Sequence, residues 1–146
     1  MKKIIRITSI LFMIIALSVC LFVGCAMPQG SAKAEVLESS NTKVVIKINE
    51  AEENATLISA MDYLKNEGKL QFEKSGDGMI TSINGVQNPA DWSSCWMLYT
   101  YDSQMANTQW GTTEHNGQTY GSAILGAESL PVVTGGIYIF VFESFS

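Results

Sequence analysis

The spacing of apolar and polar residues changes several times along the chain, and each change predicts an element. Residues 7–23 are almost all apolar and follow Lys2, Lys3 and Arg6. That is the pattern of an export signal, too short and too abruptly ended by Gly24, Cys25, Ala26 and Pro28 to predict a lasting membrane span. Beyond it, residues 43–48 alternate, with Val44, Ile46 and Ile48 on one side and Lys43 and Lys47 on the other, which predicts a strand. The period then lengthens. Leu57, Ala60, Met61 and Leu64 recur at three and four residues, with Asn54 or Thr56 placed to cap and Gly68 placed to end a helix.

Four further features complete the pattern. Residues 79–83 read as a strand closed by the turn pair Asn84-Gly85. Residues 95–101 carry Trp96, Leu98 and Thr100 on one face and Met97, Tyr99 and Tyr101 on the other, as expected of a central strand. Residues 137–143 again have two apolar faces, with Tyr138, Phe140 and Phe142 placed to cover the helix or the other hydrophobic face. Residues 102–130, rich in Gly, Thr, Ser and Asn, read as a long excursion with short strands or turns. One helix among several strands predicts an α+β fold: a β-grasp-like mixed sheet with the helix across one face. Its second face then needs loops, a ligand or a partner to cover it.

Domain organisation follows from these boundaries. Residues 1–24 are the signal peptide, 25–42 a flexible tether, and 43–146 one domain. Leu21-Phe22-Val23-Gly24-Cys25 resembles the bacterial lipobox, with Phe22 where leucine is usual. The resemblance implies that Cys25 becomes the acylated N-terminus on the extracytoplasmic face of the cell membrane. Ala32-Lys33-Ala34 offers a competing site, and cleavage after Ala34 would instead release a secreted protein. With Cys20 in the signal and Cys25 lipidated, Cys95 is left without an intramolecular partner.

Charge narrows the partners. Three of the nine basic residues lie in the signal, which leaves six lysines against 14 acids, a net charge of −8. After Lys74 there is no basic residue but His115. Such a surface repels nucleic acid, and a phosphate site in this half would have to rely on backbone groups.

Candidate chemistry is sparse. Trp92, Trp96, Tyr99, Tyr101 and Trp110 form an aromatic cluster in sequence that could stack on a ring-shaped ligand, while Trp96 also suits the core of a central strand. A Cys95/His115 dyad lacks a third group, and a thiol on a buried strand is inert, so no enzyme activity and no catalytic residue is expected. Asp102, Glu114 and His115 would form a divalent-metal site only if the 102–130 segment brought them together.

Thr81-Ser82-Ile83-Asn84-Gly85-Val86, then Trp96 on a following strand, then Leu125-Gly126-Ala127-Glu128-Ser129-Leu130-Pro131-Val132 and a closing strand at 136–142 resemble the transcobalamin-like C-terminal domain family. That family includes small bacterial surface lipoproteins and the C-terminal domains of transcobalamin and intrinsic factor. The resemblance spans roughly residues 44–143. It implies a β-grasp-like domain that closes over one side of a ligand, cobalamin in the animal carriers. It departs at Thr100-Tyr101-Asp102 and in an insertion at 102–120, and nothing matches the helical domain that supplies the carriers' cobalt-binding histidine. The expected function is ligand binding by a surface lipoprotein, with cobalamin or another corrinoid as ligand, no required cofactor, and a transporter or receptor as partner. An adhesion or protein-interaction module, or a divalent-metal protein, is the alternative.

Overall fold

The computed structural model describes residues 28–145. The expected signal peptide at 1–24 and the expected lipidation site Cys25 lie outside the described residues. Nine strands and one helix follow: β1 (Ala32–Ser39), β2 (Lys43–Ala51), α1 (Leu57–Asn66), β3 (Phe72–Lys74), β4 (Ile80–Ile83), β5 (Val86–Gln87), β6 (Ser94–Thr100), β7 (Ala106–His115), β8 (Gln118–Ala123) and β9 (Ile137–Ser144). Six strands form one sheet in the order β1-β2-β9-β6-β8-β7, and β3-β4-β5 form a small second sheet. The fold class is α+β. Among the described residues no helix is long and apolar enough to cross a membrane.

The expected mixed sheet does not form, since every ladder is antiparallel. The reason is the place of β9. The connection through α1 makes β2 and β6 run in the same direction, and the closing strand inserts between them, antiparallel to both. The two strands that run in the same direction are thereby separated by one strand.

The tether at 25–42 is also corrected, because residues 32–39 are β1, hydrogen-bonded along β2. Ala32 and Ala34 are buried at 4% and 3% exposure, whereas Lys33 is exposed. Small inward residues make this alternation quiet, and alanine and serine read as linker composition until a neighbouring strand gives them a face.

Helix α1 lays Leu57, Ala60, Met61 and Leu64 into the main core, against Val44, Ile46 and Ile48 of β2 and Tyr138 and Phe140 of β9. Its C-terminus is a Schellman turn. Gly68, at φ +70°, donates to Lys65 O at 3.0 Å, and Lys69 donates to Leu64 O at 2.8 Å. At the other end Thr56 makes no side-chain cap. Instead Leu57 and Ile58 donate their backbone N–H groups to the carbonyls of Leu130 and Ala127, both at 2.9 Å. The segment 125–132 is thus a cap supplied from far along the chain, satisfying donors that a helix start leaves unpaired.

The 102–130 excursion is a hairpin. Asn116 and Gly117, at φ +51° and +75°, form its turn between β7 and β8. The hairpin joins the sheet through only two residue pairs, Tyr99 with Ser122 and Thr100 with Gly121. From there it curls back over the second face. Lys43 Nζ donates to Glu114 O at 3.0 Å, and His115 Nδ1 stands 3.8 Å from Glu38, so the far end of β7 reaches β1 and β2 across the sheet. Beneath it Val45, Tyr99, Tyr120 and Ile139 form a second buried cluster. Of the three covers expected for this face, loops, a ligand or a partner, the first supplies it, as the protein's own hairpin.

Candidate functional site

The five aromatics predicted as one ligand surface are not brought together. Trp96 and Tyr99 lie on β6 at odd spacing and therefore point to opposite faces. Trp96 is buried against the helix-side core, its ring 5.3 Å from Phe142 and tilted by 58°. Its Nε1–H donates to Val86 O at 2.8 Å, while its backbone N–H donates to Asn88 Oδ1 at 3.1 Å. The Asn88 amide in turn donates to Ile80 O at 3.1 Å. The indole is therefore a pin between the main sheet and the β4–β5 hairpin.

Tyr99 is 1% exposed in the second cluster and donates its hydroxyl to the Glu143 carboxylate. Burial, and then that carboxylate, push its ionisation well above the ordinary tyrosine range. Trp92 sits exposed in the loop before β6 at φ +56°, and Trp110 is exposed in the bulge where β7 slips register between Asn107 and Thr112. Neither is positioned with the others.

Tyr101 is the exception. The residue is 62% exposed, and its ring meets that of buried Tyr120 edge-on, with centroids 6.1 Å apart at 62°. The two stand on a cleft of about 270 Å³ between the end of β6, the start of β8 and the segment leading into β9. Exposed Val133 and half-buried Ile137 supply further apolar wall, Gly135 and Gly136 present backbone, and Asp102 offers a carboxylate at the edge. Asp102 Oδ1 already accepts the Gln104 N–H at 2.9 Å, which fixes its direction.

Two hollows are larger, about 500 Å³ beside Gln71, Glu73 and Asn84 and about 420 Å³ beside Lys33, Asp62 and Asn66. Mostly polar or charged side chains line both. The cleft at Tyr101 is set apart by its aromatic edge, where two tyrosine rings meet beside an apolar wall with few convergent polar groups, a make-up common in ligand sites. Sequence reasoning found Tyr101 and missed Tyr120, Val133, Gly135 and Gly136. The Asn116-Gly117 turn signal could have paired β7 with β8, but nothing local places Tyr120 beside Tyr101.

The other candidate chemistries have no assembled site. Cys95 Sγ faces Met97 Sδ at 3.6 Å, and burial, then Glu143, push its thiol ionisation up, which disfavours the reactive thiolate. His115 is hydrogen-bonded to Asn116 and faces Glu38, away from any thiol contact. Glu114 accepts from the Thr119 hydroxyl at 2.7 Å, while Asp102 lies at the cleft. Among the described residues, no three His, Cys, Asp or Glu side chains are grouped to hold a metal ion. Asp102, Glu114 and His115 therefore do not form the divalent-metal site that was one alternative.

A family model, Domain of unknown function (DUF4430), matches residues 58–118. The DUF4430 match takes in α1, β3 to β7 and the turn after β7, and so includes Trp96 and Tyr101. It ends before Tyr120 and the wall contributed by β9. No curated protein and no solved structure matches the chain.

Proposed function

We propose that this chain is an exported lipoprotein, anchored through Cys25, whose domain holds one edge of a ring-bearing ligand in the cleft at Tyr101 and Tyr120. The observation that carries the reading is Tyr101: a large aromatic residue, 62% exposed, its ring held edge-on by a buried tyrosine at an apolar cleft. An exposed ring held at the mouth of an apolar cleft offers a ligand both a stacking surface and a wall. A cleft of about 270 Å³ falls below the roughly 300–1,000 Å³ that encloses a drug-sized molecule. It suits one edge of a larger ligand, with the remainder exposed or held by a partner.

The ligand class rests on the resemblance. The DUF4430 match is consistent with a transcobalamin-like, β-grasp-like domain, and that family makes a corrinoid the first ligand to test. The acylated terminus is supported by the place of β1. Cleavage after Ala34 would remove buried Ala32 and Ala34 and the first part of the β1–β2 ladder, whereas cleavage at Cys25 leaves the whole strand. The domain carries out no chemistry in this reading, and no resident cofactor is required.

Equilibrium dialysis of the domain against cobalamin and cobinamide tests it. Tyr101→Ala is expected to weaken binding about 2- to 10-fold, from roughly 0.5–1.5 kcal/mol for an aromatic contact. No binding by the unaltered domain at high micromolar corrinoid would end the corrinoid reading. Binding untouched by Tyr101→Ala would move the site elsewhere.

The second reading, an adhesion or protein-interaction module, loses the open sheet face on which it was framed. Exposed Trp92 and Phe145, brought close by the Phe145 N–H to Ser93 O bond of 2.8 Å, are the surface it would now use. Pull-down from envelope extracts with a Trp92→Ala variant as control separates it from the first.

A further inference from the structure

The chain enters the fold beside the cleft. Ser31 accepts from the Glu52 backbone N–H and donates to the Glu52 carboxylate, both at 2.9 Å. The neighbouring Ala51 N–H donates to Thr134 Oγ1 at 3.0 Å, and Gly135 donates to Ile48 O at 2.8 Å. Thr134 lies between Val133 and Gly135, two of the cleft residues. The first residues of the domain and the ligand cleft therefore share one end of the sheet, and the β1–β2 turn at Asn41 lies at the other.

Length turns this into an orientation. Because β1 belongs to the fold, the spacer between Cys25 and the Gly30 bridge to Ala55 is only residues 26–29. Fully extended, that stretch reaches about 17 Å. The span from Ser31 to Asn41 adds roughly 25–30 Å at strand rise. A domain on so short a lead cannot readily turn its far end to the bilayer.

Charge then selects what the near end meets. Glu50, Glu52 and Glu53 are exposed there, with Asp102 on the cleft, and Lys33 is paired to Glu50 at 2.8 Å. Anionic headgroups repel such a rim, whereas cationic protein loops complement it. We propose that the cleft end faces the membrane and docks on a cation-bearing surface of an integral membrane protein, with which the ligand is exchanged. This rests on the lipid anchor at Cys25, but not on the identity of the ligand.

The test uses the full lipidated chain with Cys95→Ser and a single fluorophore on V133C or N41C, reconstituted in phosphatidylcholine vesicles bearing a headgroup quencher. Quenching at position 133 is expected to exceed that at 41 by at least threefold. A chain that floats with the vesicles and is quenched equally at both overturns the orientation alone. A chain that fails to float, with a mature N-terminus other than Cys25 by mass spectrometry, overturns the anchor and the orientation together. In intact cells, a photocrosslinker at 133 but not at 41 should trap a protein released only by detergent, with yield falling at least threefold when Glu50, Glu52 and Glu53 become Gln. Adducts to lipid alone, or yields unchanged by the charge removal, overturn the docking partner.

Discussion

Replacing Trp96 by phenylalanine separates a core pin from a ligand contact. Phenylalanine keeps an aromatic ring against Phe142 and keeps the backbone N–H that binds Asn88. It loses the 2.8 Å Nε1–H bond to Val86 O. A hydrogen bond of this kind contributes about 1 kcal/mol net, and the vacated part of the indole leaves a partly collapsed void costing about 1 kcal/mol more. The sum, about 2 kcal/mol, is a sizeable part of the roughly 5–15 kcal/mol that stabilises a domain of this kind. For a domain of this size it lowers Tm by about 6–10 °C. Urea unfolding followed by far-ultraviolet circular dichroism measures it, and corrinoid dialysis below the transition gives the second readout. The expected result is a lower midpoint with unchanged ligand affinity. A variant within about 0.5 kcal/mol of the parent would refute the pin, and lost affinity at unchanged stability would make Trp96 a ligand contact.

The strand at 32–39 is tested by Ala34→Asp, which buries an unpaired charge at a position 3% exposed and should cost more than about 3 kcal/mol, while Lys33→Asp on the opposite face stays within about 1 kcal/mol by thermal melting. Gly85→Ala, at φ +82° in the turn after Asn84, is expected to cost about 1 kcal/mol in the same assay. The Ser31 backbone N–H, the first cause, holds Glu52 below the usual carboxylate range, so its contribution is present above the unfolded pKa of about 4.3 and fades as pH falls through the lower folded value. Glu52→Gln should therefore flatten the acid limb of a stability–pH curve below about pH 5. Tyr99 has the opposite sense: its neutral form is favoured in the fold, so stability is present below about pH 10 and lost above it, and Tyr99→Phe should flatten the alkaline limb.

Local pattern was enough where an element carries its own signal. The 3.6-residue period of α1 with Gly68 behind it, the alternation of Val44, Ile46 and Ile48, the two apolar faces of β6 and β9, and the turn at Asn84-Gly85 all lie where the sequence predicts them. Each depends on neighbours within a few residues, and side-chain period and positive φ are properties of such short stretches. Strand β1 escaped this reasoning because alanine alternation has little amplitude. The long β7 escaped it because Thr, Gln and Asn are strand residues only when a neighbour pairs with them.

By itself, the sequence determined the acidic surface, the helix at Leu57–Asn66, the two-faced central strands and Tyr101 as an aromatic at the end of one of them. Tertiary structure alone decided that β9 inserts between β2 and β6, that residues 125–132 cap the helix, and that the β7–β8 hairpin closes over the second face. It also divided the aromatic cluster, sending Trp96 into one core and Tyr99 into the other, and joined Tyr101 to Tyr120 across 19 residues of chain. The physical reason is range. Periodicity records which side of an element is apolar, but the partner that covers that side is chosen by contacts between residues far apart in sequence, and no local pattern encodes them.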